Sequence, residues 1–242
     1  ENDIGPAIYY DDKMAPLKLS VASVDPNIAE GLFCEFGVFQ GTTINHIAGL
    51  TTRKVHGFDS FEGLPEDWRA GFDKGTFKTG LPPVKPNVVL YKGWFDQTIG
   101  PFMEKEKQPL AFLHLDADLY SSTKTVLDMM ADRIVPGTIL HYDEYFNYPG
   151  WKFGEHKAHR EFVAKHQVEV QYLGFSREQL AMRVVAIRGQ RWTPPQKQSV
   201  AQAAPAPVPA AQQDCVACRS THAARYNSIV LAGVLIPAPP RR

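Results

Sequence analysis

The chain is poor in cysteine: Cys34, Cys215 and Cys218 are the only three in 242 residues. That excludes a disulfide framework and leads us to expect a reducing, cytoplasmic setting. Charge of one sign is not in excess, with 26 Lys plus Arg against 26 Asp plus Glu. A balanced chain offers no basic field, so neither nucleic acid nor an anionic membrane is expected as a partner. No apolar run reaches the length of a bilayer span, and the N-terminus carries no signal-peptide pattern. A complete G-x-G-x-x-G phosphate cradle is also missing.

What is present is an alternation of short apolar runs and helical stretches, long enough for one α/β domain with a real core. Strands are expected at 31–36, 54–58, 88–91, 110–116 and 138–142. Helices are expected from Gly41 and Thr42 onward, near 97–105, from Ser121 or Ser122, and at 155–166. Runs at 168–173 and 179–188, joined by five residues, read as an antiparallel hairpin. Residues 60–86 are broken by eight Gly and Pro, and a loop this long usually has a function. Three regions follow: a partly irregular N-terminal segment at 1–30, a domain at 31–189, and a Pro/Ala/Gln-rich disordered tail at 190–242. The lone Cys215-x-x-Cys218 in that tail lacks the second pair a zinc site needs.

Glu35, Asp59, Asp116 and Asp143 fall at or near the ends of successive strands, and Glu144 follows Asp143. In parallel α/β sheets the ligand crevice lies beyond the carboxyl ends of the strands. Asp116, Asp143 and Glu144 gathered there call for a cation, because close like charges repel unless neutralised. In the first turn Glu35 would repel a phosphate and attract an ammonium group, and Gly37 lets a ligand approach. Asp59 stands where an acid that binds ribose is expected. An acid for an amine and an acid for a ribose, without a phosphate cradle, suit S-adenosylmethionine better than a dinucleotide.

These motifs run in order: Glu35-x-Gly37-x-x-x-Gly41, Gly57-Phe-Asp59-Ser60-Phe-Glu-Gly63-Leu-Pro65, Gly93-Trp94-Phe95, Leu115-Asp116-Ala-Asp118-Leu-Tyr120, and Asp143-Glu144-Tyr145. Over residues 31–188 the chain resembles the macrocin O-methyltransferase family, class I S-adenosylmethionine-dependent enzymes that methylate sugar hydroxyls. The resemblance implies a Rossmann-like sheet of order 3-2-1-4-5-7-6 with the last strand antiparallel and helices on both faces. It implies Glu35 near the methionine part of the cofactor, Asp59 on its ribose and Trp94 or Phe95 near the adenine, with Gly37, Ser60 and Asp116 also expected among the cofactor-binding residues. It implies Mg²⁺ on Asp116, Asp143 and Glu144. Many relatives carry Asp-Asp where this chain has Asp143-Glu144. Catechol-type enzymes have a lysine where this chain has Leu119, which excludes a base from that position.

The expected reaction is in-line methyl transfer to a hydroxyl of a small molecule or sugar, with Asp116 as metal ligand and proton acceptor. Homo-oligomerisation is left open. His114 and His141 are expected as hydrogen-bonded core histidines, and His156 and His159 on an exposed helix face. Asp118 and Tyr120 are expected to orient a loop. Trp68 and Trp151 are read either as substrate-facing aromatics or as packing anchors. A nucleotide-binding oxidoreductase and a non-catalytic cofactor-binding module are the competing readings.

Overall fold

The structure is a computed structural model, and it describes residues 6–193. The expected disordered tail begins too early, because Gln190–Arg191 pair as a strand, and the rest of it with Cys215-x-x-Cys218 lies outside the described residues from 194 onward. The strands are β1 (Ile8–Tyr9), β2 (Leu32–Phe36), β3 (Val55–Asp59), β4 (Val88–Lys92), β5 (Leu110–Leu115), β6 (Ile139–Tyr142), β7 (Glu169–Phe175), β8 (Leu180–Ile187) and β9 (Gln190–Arg191). The helices are α1 (Met14–Ala22), α2 (Thr42–Leu50), α3 (Phe95–Lys105), α4 (Tyr120–Met130) and α5 (Glu155–His166). None of the described helices is long and apolar enough to cross a membrane.

One sheet runs β1-β7-β8-β6-β5-β2-β3-β4, with β9 added beside β8. Numbered from β2, the seven main strands follow the order 3-2-1-4-5-7-6, and β8 is antiparallel to both neighbours. The two-residue edge strand β1 is an addition to that order, pairing in parallel with β7. The hairpin connection is shorter than expected, because β7 continues to Phe175 and β8 begins at Leu180.

The N-terminal segment holds α1, which the three prolines obscured in the sequence. Pro16 sits in the first turn of this helix, where a missing N–H costs no hydrogen bond. Leu17 of α1 is fully buried with Phe33, Ile44, Phe112 and Ile139 on one face of the sheet. The other face carries Phe36, Leu113, Leu140 and Tyr142 against α3, α4 and α5. Strand residues alternate between these two cores, as a pleated sheet covered on both faces requires.

Parallel pairing aligns the strand ends. Phe58, Phe36, Leu115 and Tyr142 form one row across β3, β2, β5 and β6. The residues just after that row are Asp59, Gly37, Asp116 and Asp143. Hydrogen bonds carry the ladder this one step further: Gly37 N–H to Phe58 O (3.0 Å), Asp116 N–H to Phe36 O (2.9 Å) and Asp143 N–H to Leu115 O (2.9 Å). Phe58 stacks between Phe36 and Tyr91 at 4.5 and 4.6 Å, which stiffens this end of the sheet.

Candidate active site

Above this row lies a cleft of about 540 Å³. Gly37, Asp59, Ser60, Trp94, Phe95, Asp116, Asp143 and Glu144 all line it, as expected from the sequence. Glu35 does not: it is fully buried one layer behind the wall. The reason is its register. Glu35, His114 and His141 form a row on the α1 and α2 face of the sheet, one residue short of the strand ends. His114 Nδ1 lies 2.9 Å from Glu35 Oε1, and its Nε2 lies 3.9 Å from Asp143 Oδ1. Burial opposes a charge on His114, yet Asp143 and Glu35 outweigh it and hold the imidazole up to about 10. His141 Nδ1 meets Ser20 Oγ of α1 at 2.9 Å, so burial and the neighbouring His114 charge keep it neutral. Both histidines are thus partnered in the core, as expected.

Asp59 is held by backbone. Its Oδ2 accepts from Val38 N–H and Phe39 N–H, each at 2.8 Å, and its Oδ1 from Phe61 N–H at 2.7 Å. A carboxylate offers about four acceptor directions, so one remains for a ligand. Gly37 has φ +95°, and a Cβ there would come within 1.7 Å of the Asp116 carbonyl oxygen. Only glycine fits between β2 and β5 at this point.

The acids do not group quite as the sequence suggested. Asp116, Asp118 and Glu144 bring carboxylate oxygens within 4.8 Å of one another. Asp143 lies beside them but groups with His114 and His141, and its Oδ1 accepts from Gln179 Nε2. Burial would raise Asp143, but the nearby charge of His114 and the hydrogen bond from Gln179 hold it below the usual carboxylate range. Asp116 moves the other way, pushed well up by burial and by the Asp143 charge. Burial and Asp143 likewise push Asp118 up to about 7, with Arg69 pulling against them. Glu144 is raised well above its usual value by burial and the charges of Asp143, Asp118 and Asp116. Its Oε2 is buried without a hydrogen-bond partner.

Three contributors were missed in the sequence. Asp118, read as a loop residue, joins the acid cluster from a left-handed backbone at φ +60°. Its signal was the spacing Asp-x-Asp after β5. Glu155, read only as a helix start, is fully buried, and its Oε1 accepts from Ala117 N–H (3.3 Å) and Thr123 Oγ1 (3.1 Å). Its Oε2 accepts from Glu144 N–H (3.1 Å), so it ties the two acidic turns together. Arg69 lines the cleft from the long loop, and nothing in the sequence set it apart from other exposed arginines.

That loop is ordered by its own backbone. Leu64 N–H bonds Thr76 O (2.8 Å), Gly75 N–H bonds Leu64 O (2.9 Å) and Trp68 N–H bonds Phe72 O (3.0 Å). Trp68 faces the cleft, whereas Trp151 packs edge-on against His156 at 4.7 Å. His159 departs from expectation: it is buried, with Nδ1 3.0 Å from Tyr142 Oη. Tyr120 Oη donates to Glu161 Oε2 at 2.8 Å, in line with an orienting role.

The comparisons with known proteins agree with this fold. Residues 78–173, which span β4 to most of β7 and include Asp116, Asp143 and Glu144, match the model of the family Macrocin-O-methyltransferase (TylF). The 8-demethyl-8-(2,3-dimethoxy-alpha-L-rhamnosyl)-tetracenomycin-C 4'-O-methyltransferase of Streptomyces olivaceus is 29% identical over 155 residues. That alignment covers 53% of this chain and 58% of the relative, so the chain spans well under two thirds of that protein's length. Among solved structures, the calicheamicin methyltransferase CalS11 has a TM-score of 0.56 at 22% identity, covering 70% of this chain and 76% of that one. The O-methyltransferase NovP gives a TM-score of 0.56 at 21% identity, covering 74% and 80%. Over residues 78–173 the chain is thus similar to the macrocin O-methyltransferases, and its sheet has the class I methyltransferase fold.

Proposed function

We propose that the protein is an S-adenosylmethionine-dependent O-methyltransferase acting on a hydroxyl of a small molecule or sugar, with Mg²⁺ at the acid cluster. One observation carries the reading: Gly37, Asp59 and Asp116 line a single cleft with the acid cluster as part of its wall. The residues fit the donor. Asp59 keeps a free acceptor direction for ribose hydroxyls, and Ser60 stands beside it. Trp94, 36% exposed, and Phe95 offer aromatic surface for the adenine. Glu35, with its Oε2 buried and unpartnered, lies behind the cleft wall and does not itself face the donor.

The acid cluster fits a divalent cation by the same test. Asp116, Asp118 and Glu144 present hard oxygens in one place, one of them orphaned, with Asp143 close by. A cation held there supplies Lewis-acid stabilisation to charge developing on the acceptor oxygen. S-adenosylmethionine held by Asp59 and its neighbours would supply the methyl group.

The protein's own side chains do the rest. Asp116 lines the cleft within the acid cluster, where it is placed to take the hydroxyl proton as the new bond forms. Glu155 holds the Ala117 and Glu144 backbones, which keeps both acidic turns in register. The imidazolium of His114 lies between Glu35 and Asp143 and offsets part of their charge. Trp68 and Phe72 of the long loop line the cleft and give it apolar wall that would limit water beside the reacting groups.

The test is a pair of titrations, with S-adenosylmethionine and with NAD⁺, followed by transfer of labelled methyl to small-molecule extracts and glycosides. Binding of S-adenosylmethionine with label in a hydroxyl-bearing product is the expected outcome. Preference for NAD⁺ would establish the oxidoreductase instead, and binding without transfer would leave a non-catalytic module.

A further inference from the structure

A second cleft, of about 430 Å³, opens on the other side of Trp68 and Arg69, towards Tyr148 and the single turn Trp151–Phe153. Trp68 and Arg69 line both clefts and form the partition between them. The Arg69 guanidinium carbon lies 3.9 Å from the Trp68 ring centre, 4.9 Å from that of Phe72 and 5.0 Å from that of Tyr148. Stacking of this kind fixes a guanidinium plane without engaging its N–H groups. Arg69 Nε is buried and has no hydrogen-bond partner. The backbone is pinned too: Phe72 N–H bonds Arg69 O at 2.8 Å, around Gly71 at φ +86°. The structure therefore holds a rigid, directional donor group in a wall, and its buried Nε–H has no partner. Buried polar groups without a partner need an explanation, and a ligand is one.

Resting on the methyltransferase reading above, we propose that the second cleft takes the body of the acceptor. Arg69 selects that acceptor by donating hydrogen bonds to oxygens of an uncharged, hydroxyl-bearing ring. The charges of the cleft decide against an anion. Glu66 and Asp67 line it beside Arg69, so two carboxylates stand against one guanidinium. A phosphorylated or carboxylated acceptor meets net repulsion there. A neutral polyhydroxyl ring uses both signs, donating to the carboxylates and accepting from Arg69. The rings of Trp68, Tyr148 and Phe153 cover its C–H faces, and Phe153 is 76% exposed at this cleft. Arg69 also acts on Asp118 across the partition, so the group that grips the acceptor stands next to the acid cluster.

The experiment is calorimetric titration of the full chain saturated with S-adenosylhomocysteine. The probes are p-nitrophenyl α-L-rhamnopyranoside, which is neutral, and uridine diphosphate glucose, which is anionic. The neutral probe is expected to bind more tightly, and Arg69→Met to weaken it about tenfold or more, as loss of hydrogen bonds from a charged donor implies. Arg69→Lys keeps the charge without the fork and should recover only part of that loss. A urea unfolding transition as cooperative as that of the wild type shows that each variant is folded. Tighter binding of the anionic probe, unchanged affinity in Arg69→Met, or no binding of the neutral probe to the loaded protein each overturns the assignment. If the wild type does not bind S-adenosylhomocysteine at all, the methyltransferase reading itself has failed, which is a separate result.

Discussion

Gly37 and Asp116 approach so closely that a Cβ on the first would overlap the carbonyl oxygen of the second, at 1.7 Å. The contact joins the ends of β2 and β5, the two strands at the centre of the cleft floor. Gly37→Ala should therefore destabilise twice over, through the left-handed backbone and through the clash, by about 2–4 kcal/mol in all. Urea unfolding reads this directly. A loss under about 0.5 kcal/mol, the range of ordinary surface changes, would mean the strand ends do not pack as described.

Asp59 accepts three backbone N–H groups, two of them from the turn that carries Gly37. Asp59→Ala strands all three, and we expect a loss of about 2–4 kcal/mol. Affinity for S-adenosylhomocysteine should drop at the same time, because the turn and the ribose acceptor are lost together. Asp59→Asn keeps one acceptor oxygen and should fall between. Calorimetry beside urea melts checks both readouts, and intact cofactor affinity in Asp59→Ala would remove Asp59 from the binding site.

The acid cluster yields a prediction with two opposite signs. Without a cation, Glu144 is a buried carboxyl surrounded by other acids and raised by them. Glu144→Gln relieves that repulsion, so the cation-free variant should be at least as stable as wild type. Mg²⁺ at about a hundred times its dissociation constant should stabilise the wild type by about 2–3 kcal/mol and the variant much less. Thermal melts with Mg²⁺ and with a chelator measure both. Equal Mg²⁺ responses in the two proteins would place the ion elsewhere.

His159 gives a pH dependence. It is buried against Tyr142, and burial holds it down at about 3, against 6.5 in an unfolded chain. Between those values the unfolded state binds the extra proton, so stability rises with pH there. The contribution is fully present above pH 6.5 and is lost as the pH falls towards 3. His159→Gln retains a polar group near Tyr142 and cannot titrate, so its stability should fall less between pH 7 and pH 4. Urea melts across that range decide it, and parallel curves for the two proteins would show that His159 is not buried neutral. His114 works the other way, being raised to about 10, so its contribution is present below 6.5 and fades as the pH rises through 10.

Much of this was readable along the chain. Apolar runs ending in Glu35, Asp59, Asp116 and Asp143 marked the strands and the rim together, because a parallel sheet places its ligands where those runs stop. α1 was hidden because Pro6, Pro16 and Pro26 look like breakers, although Pro16 lies in a first turn that tolerates it. Glu35 was expected on the wall and stands behind it. Being one residue short of the strand end turns its side chain to the α1 and α2 face, and a period of two leaves no intermediate position.

Sequence alone determined the order of elements and placed Asp59, Asp116 and Asp143 at strand ends, because hydrophobic periodicity acts locally along the chain. The strand order of the sheet was what the family resemblance implied. Only the tertiary structure decided which acids meet: Asp118 with Asp116 and Glu144, Asp143 with His114 and Gln179, and Glu155 beneath them all. It alone seated Arg69 among three aromatic rings from separate segments. Such groupings depend on distances of a few ångströms between residues far apart in the chain, and burial and Coulomb forces act through those distances, not through sequence spacing.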